Sequence, residues 1–199
     1  MIASGSFDET VRLWDVRTGR CLFRVAVHQE PVSCVDFNAD GTLLATSSFD
    51  GLVRLWDVAT MQCLREIILE PSVPATLARF SPNSEFLLVG TMDARLSLWD
   101  FQTPQKPQCI KSYKGHMNKK YCIAAAFLQD DDGEGLLLSG SEDGRVVAWA
   151  VNSQQQVDTW KKTTTTSVVI GLSVHPSQKY VATASERGLT LWAKQAIDK

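Results

Sequence analysis

A tryptophan recurs along this chain at Trp14, Trp56, Trp99, Trp149 and Trp192, in steps of 42, 43, 50 and 43 residues. Six positions before each stands an acid: Asp8, Asp50, Asp93, Asp143 and finally Glu186. Two positions earlier stands a small residue: Ser6, Ser48, Thr91, Ser141 and Ala184. No other feature constrains the fold so strongly. Each copy must be one supersecondary unit that cannot bury its apolar surface alone and has to stack on the next.

The clearest copy runs from Pro31 to Val58. It holds three short apolar runs, Val32–Phe37, Leu43–Ser47 and Leu52–Trp56, separated by turns at Ala39-Asp40-Gly41 and Phe49-Asp50-Gly51. Asp-Gly pairs favour positive φ and make turns whose twist matches that of paired strands. The phrase therefore reads as a three-stranded antiparallel meander, and Cys63–Leu69 supplies a fourth, outer strand. A period near 40–45 residues ending in Trp-Asp, as at Trp14-Asp15, Trp56-Asp57 and Trp99-Asp100, is the signature of WD-repeat blades. The predicted class is all-β, a WD-repeat β-propeller of four-stranded antiparallel blades with an incomplete ring.

One propeller fragment is expected over residues 1–199, with a partial blade at 1–27, blades at 31–69, 75–114 and 121–160, and a partial blade at 167–193. The first lacks its inner strand and the last its outer one. Propellers close with four to eight blades. The count therefore predicts an incomplete chain whose end faces leave apolar side chains open. The long step between Trp99 and Trp149 comes from an enlarged loop, Gln129 to Gly135, carrying Asp130, Asp131, Asp132 and Glu134. It lacks the ligand alternation of an EF-hand and reads as a solvated turn.

A net charge of −2 provides no basic field for direct nucleic-acid binding. No apolar run reaches the ~18 residues of a membrane helix, and Met1 leads straight into a repeat strand, without room for a signal peptide. Of the five cysteines, Cys21, Cys63 and Cys109 share one repeat position. Periodicity accounts for them as buried structural thiols suited to a reducing compartment, without metal or disulfide. No metal or other cofactor is predicted. The histidines also fit the repeat. His28 with Ser48, Asp50 and Trp56, and His116 with Ser141, Asp143 and Trp149, are expected to form two buried hydrogen-bonded sets. His175 falls in a turn before Pro176. With no nucleophile elbow and no phosphate loop, no acid, base and nucleophile assemble, so an enzyme is not expected. A propeller instead offers its loop face and the seams between blades to short peptides.

Longer stretches narrow the reading: SGSFDETVRLWDVRTGRCL (Ser4–Leu22), HQEPVSCVDFNADGTLLATSSFDGLVRLWD (His28–Asp57), YKGHMNKKYCIAAAF (Tyr113–Phe127) and LSGSEDGRVVAW (Leu138–Trp149). They resemble the carboxy-terminal portion, about four and a half blades, of the WD-repeat subunit of COMPASS and MLL-type histone lysine methyltransferase complexes. The resemblance implies a non-catalytic nuclear scaffold that binds peptides from histone tails or partner subunits. It places central-channel contacts at Ser33, Thr76, Tyr121 and Cys122, and side-groove contacts for an acidic, apolar partner segment at Asn83, Phe86, Leu98, Phe127 and Asn152. In that family two phenylalanines clamp a peptide arginine. Here one position is Ala124, and the other would lie before Met1. The alternatives are a WD adaptor in another assembly, nuclear or cytoplasmic, such as a ubiquitin-ligase substrate receptor or an RNA-processing scaffold, and the regulatory domain of an enzyme.

Overall fold

Strands are the only regular structure in the computed structural model, which describes residues 1–129, 135–161 and 167–193. The loop acids Asp130, Asp131, Asp132 and Glu134 and the connecting residues 162–166 lie outside the described residues. The strands form five sheets, each a meander of sequence neighbours. The first contains β1 (Ile2–Gly5), β2 (Thr10–Trp14) and β3 (Cys21–Ala26); the second β4 (Val32–Phe37), β5 (Leu43–Ser48), β6 (Leu52–Asp57) and β7 (Cys63–Ile68). The third holds β8 (Ala75–Phe80), β9 (Phe86–Thr91), β10 (Arg95–Asp100) and β11 (Gln108–Tyr113). The fourth holds β12 (Ala125–Gln129), β13 (Gly135–Gly140), β14 (Arg145–Ala150) and β15 (Gln156–Lys161); the last β16 (Val169–Val174), β17 (Tyr180–Ser185) and β18 (Gly188–Ala193). This is the expected all-β class of four-stranded antiparallel sheets. The fourth sheet begins later than expected, because Tyr121–Ala124 precede its first strand.

Two compact units result: Met1–Thr91 with Ser97–Ile110, and Met92–Leu96 with Lys111–Lys199. In the first unit, β5 is buried along nearly its whole length. Side chains alternate across a strand, so Leu44 enters a core with Val11, Leu13, Val32 and Trp56, while Ala45 enters another with Leu55, Ile67, Phe80, Leu87 and Phe101. The second sheet is thus filled on both faces. In the second unit the core joins Leu128, Leu136, Leu138, Val146 and Ala148 to Trp160, Val169, Leu172 and Val181. Gly140 has no room for a side chain there, since a Cβ would clash with the Val169 carbonyl. Elsewhere apolar residues stay open to solvent, with Leu189 81% and Leu191 69% exposed.

The turns repeat a backbone conformation more faithfully than a residue type. Five positions before the tryptophan, Glu9, Gly51, Ala94 and Gly144 have φ of 67°, 78°, 59° and 80°. Glycine adopts this left-handed region freely, whereas other residues incur about 1–2 kcal/mol of steric cost. The carboxylate just before the turn residue explains the persistence. Asp8 accepts the Thr10 amide at 3.1 Å, Asp50 that of Leu52 at 2.9 Å, and Asp143 that of Arg145 at 3.2 Å. Relief of strain outweighs the added chain entropy at the two non-glycine positions, so Glu9→Gly and Ala94→Gly should each stabilise the fold by roughly 0.5 kcal/mol. Gly51→Ala should do the reverse, because its Cβ would also come within 3.0 Å of Ser72 Oγ. Denaturant melts of the three variants measure both signs.

Candidate peptide-binding surfaces and the polar sets behind them

Polar side chains buried within a sheet must find partners there. In the second sheet they do so in one chain. The Trp56 indole N–H donates to Thr46 Oγ1 at 3.0 Å, Thr46 Oγ1 lies 2.8 Å from His28 Nε2, and His28 Nδ1 lies 2.9 Å from Asp50 Oδ2. Burial pushes the His28 pKa down against the pull of Asp50. A neutral ring therefore donates from Nδ1 to the carboxylate and accepts the threonine proton at Nε2. Burial pushes Asp50 up, yet the Leu52 amide and His28 hold its pKa below the ordinary value. The set expected here contained Ser48. That residue lies elsewhere, donating to the Glu30 carbonyl at 2.9 Å and accepting the Asp50 amide at 3.1 Å. Thr46 is the link the sequence reading missed. Its repeat position, ten before the tryptophan, carries Ser4, which accepts the Trp14 indole at 2.9 Å. In the third repeat it carries Val89, and Trp99 turns to Ser97 Oγ at 2.8 Å.

The second expected set does not form. His116 is 4% exposed, and neither ring nitrogen has a hydrogen-bond partner. Its ring stands edge-on to Trp149 at 5.6 Å, while the Trp149 indole donates to the Lys114 carbonyl at 2.9 Å. Ser141 accepts the Met117 amide, and Asp143 is held by Arg145. Burial lowers the His116 pKa to about 4, opposed by the nearby charges of Asp143, Asp93 and Glu142. His175 lies in its turn, with Nδ1 2.8 Å from Ser177 Oγ.

Ser33 and Thr76, expected at a channel, occupy matching irregularities in the first unit. The β4–β5 register skips between Val32 and Cys34, and the β8–β9 register between Ala75 and Leu77. Each residue is therefore the extra one of a β-bulge, a device that re-aims a side chain. Ser33 Oγ is engaged, 2.7 Å from the Ala75 carbonyl and 2.9 Å from Ser47 Oγ, and Thr76 is 2% exposed. In the second unit Tyr121 and Cys122 are half-buried beside a latched loop. Glu142 Oε1 accepts the amides of Lys119, Lys120 and Tyr121 at 2.8, 2.6 and 3.1 Å, and Lys120 Nζ stands 5.3 Å from the Tyr121 ring centre.

Of the side-groove residues, Asn83 is exposed but tied into its own turn by Ser81, at 2.6 Å, and Glu85, at 2.6 Å. Phe86 is half-buried, and Leu98, at 3% exposed, offers a partner almost no surface. In the second unit Phe127 is half-buried and Asn152 Oδ1 accepts Lys111 Nζ at 3.3 Å. The repeat-position cysteines correct the expectation of burial: Cys21, Cys63 and Cys109 are all exposed thiols outside any disulfide. They stand at the start of the outer strands β3, β7 and β11, where one side of the backbone has no neighbour in its own sheet. Among the described residues no cluster of three or more His, Cys, Asp or Glu is placed to hold a metal.

Two measurements check these polar sets. Thr46→Val would strand both the His28 nitrogen and the Trp56 indole, so a loss of about 2–4 kcal/mol is expected in denaturant melts. His116 titrates lower folded, at about 4, than unfolded, near 6.5. The unfolded chain therefore takes up its proton first. Stability should be intact above pH 6.5 and fall between pH 6.5 and 4, by on the order of 3 kcal/mol from this group. His28 shifts in the same direction, so His116→Gln should flatten the profile without abolishing it.

The description "WD domain, G-beta repeat" matches residues 1–15, 19–57, 72–100 and 107–150. The serine-threonine kinase receptor-associated protein of Gallus gallus is 30% identical over 156 residues, 77% of this chain and 41% of that protein. An F-box-like/WD repeat-containing protein of Mus musculus is 58% identical over 41 residues, 21% of this chain and 8% of that protein. A WD repeat-containing protein of Schizosaccharomyces pombe is 30% identical over 117 residues, 59% of this chain and 37% of that protein. The chain thus spans less than half the length of these curated relatives. WD-repeat domains bind protein partners and are generally non-catalytic scaffolds. With more than half of its residues matched, in phase with the tryptophan repeat, this chain belongs to the WD domain, G-beta repeat family.

Proposed function

We propose that this protein-interaction scaffold serves a histone lysine methyltransferase assembly of the COMPASS type, in the nucleus, where it holds peptides from histone tails or partner subunits. The observation that carries the reading is the pair of bulges at Ser33 and Thr76, which recur at the entry of successive sheets. A repeated bulge turns the same repeat position out of its ladder in each copy, a way to line a peptide site with equivalent groups. The stretches Ser4–Leu22, His28–Asp57, Tyr113–Phe127 and Leu138–Trp149 support the choice of assembly. The half-buried rings of Phe86 and Phe127 are surfaces that an apolar partner side chain could use.

A second reading has its own support. The short, high-identity match to an F-box-like WD protein favours an adaptor in a different assembly, such as a ubiquitin-ligase receptor. Purification of the tagged full chain from cells separates the two. Recovery of methyltransferase subunits is the expected result; recovery of ubiquitin-ligase subunits in their place would assign the second reading.

A narrower prediction concerns arginine. Ala124 offers no ring to stack on a guanidinium, and each desolvated cation–π contact is worth about 0.5–2 kcal/mol. Calorimetric titration with an arginine-bearing histone peptide should therefore show weak binding. Ala124→Phe should strengthen it by roughly 2- to 30-fold. An unchanged affinity would show that no guanidinium lies beside this position.

A further inference from the structure

In the first unit an open groove of about 540 Å³ is lined by Leu43, Leu55, Leu64, Arg65, Phe101 and Gln102. Its size falls within the range of ligand clefts, roughly 300–1,000 Å³. The floor is continuous with a core: Leu55 and Phe101 are buried in the cluster that includes Ala45, Ile67 and Phe80, and Leu43 packs against it. Strand register places Arg65 opposite Leu55, and Leu55 opposite Ala45. A charged side chain thus stands at the outer end of a row whose inner members are apolar.

Among the described residues no acid neutralises that charge. The adjacent acid, Glu66, alternates to the opposite face and is held by Arg54 Nε at 2.7 Å. Asp57 is engaged by Thr60, and Asp100 by the Gln102 amide at 2.9 Å. Arg65 takes part in no ion pair or side-chain hydrogen bond among the described residues. The comparison within the chain is direct. Lys111, two residues after Cys109 as Arg65 is two after Cys63, spends its ammonium on the Val151 carbonyl at 3.0 Å and on Asn152 Oδ1 at 3.3 Å. A half-buried guanidinium beside an apolar floor attracts a carboxylate more strongly than one in open water, and its fork suits two carboxylate oxygens.

We infer that this groove binds a protein segment presenting an apolar side chain next to a carboxylate, with the apolar group on Leu43, Leu55, Leu64 and Phe101 and the carboxylate on Arg65. Charge complementarity selects this occupant: the groove carries a positive group with no internal use, and its other lining groups are apolar apart from Gln102. The inference is independent of which assembly the chain joins.

The test uses the full chain and two fluorescein-labelled probes, Glu-Leu-Phe-Glu-amide and Gln-Leu-Phe-Gln-amide, read by anisotropy at low salt. The acidic probe should bind at least tenfold more tightly than the glutamine probe. Arg65→Glu should remove most of that binding, tenfold or more, and Leu64→Ser should weaken it about threefold. Leu64 is 50% exposed and the Arg65 side chain makes no bond among the described residues, so both variants should keep the wild-type melting temperature. Equal binding of the two probes, wild-type affinity in Arg65→Glu, or no binding of the acidic probe up to about 1 mM would each overturn the inference. Concentration-dependent dimerisation abolished by Arg65→Glu would assign the groove to a second copy of the chain and overturn it as well.

Discussion

The structure depends on strands that are apolar on both faces. A sheet with one wet face can alternate polar and apolar residues and stand against a single partner layer. The second sheet cannot. Leu44 and Ala45, neighbours in β5, enter different cores, and the strand stays buried to Ser48. Such a sheet is stable only between two others, so the repeat is an energetic requirement as well as a sequence pattern. Double burial also dictates the fate of polar side chains. Any hydroxyl, imidazole or indole in the sheet has to be satisfied internally, and the chain from Trp56 through Thr46 and His28 to Asp50 does that. These are groups that an active-site search would notice first, and all their hydrogen-bonding capacity is committed to architecture.

That requirement made much of the fold legible in the sequence. The tryptophan spacing, the Asp-Gly turns and the apolar runs place the four strands of the second sheet to within one residue. What escaped was decided by register. The recurrence of serine or threonine there points to Ser48 as a partner of Trp56, but Trp56 lies directly opposite Leu44. The same-face neighbour is two residues along, at Thr46, within the reach of a long aromatic side chain. Ser48 is the last residue of β5, four residues along from the position opposite Trp56. Hydroxyls ten positions before the repeat tryptophans are Ser4, Thr46 and Ser139, with Val89 and Ala182 the exceptions, and the Trp192 indole donates to Thr183 Oγ1 instead, at 2.9 Å. His116 precedes its repeat as His28 does, yet its ring meets Trp149 edge-on and finds no hydroxyl.

The candidate site was less legible for the same reason. A β-bulge is a mismatch of one residue between two strands, and neither strand alone carries a mark of it. Ser33 and Thr76 entered the sequence reading through family resemblance. The structure gives them a shared physical property, because both are the residue that its ladder skips. It also limits them. The Ser33 hydroxyl is held by Ser47 and the Ala75 carbonyl, so a ligand there has to compete with an existing bond. Leu98 is likewise floor and not surface.

A repeat protein gains specificity where its copies differ, since what they share is what holds them together. The left-handed turn position shows the shared part: glycine, glutamate and alanine all adopt it at the same point before the tryptophan. The differing part is found by comparing equivalent positions and asking which side chain has lost its internal use. Phe23, Arg65 and Lys111 each stand two residues after a repeat cysteine. Phe23 and Arg65 lie opposite Leu13 and Leu55 in corresponding ladders, and Lys111 is tied to a backbone carbonyl. Arg65 alone of these three is a charge beside apolar side chains whose side chain has no bond among the described residues. Keeping a charge half-buried without a partner costs folding free energy, and that cost has no architectural return in this sheet. Among the described residues no carboxylate meets it, so one supplied from outside the chain would offset that cost.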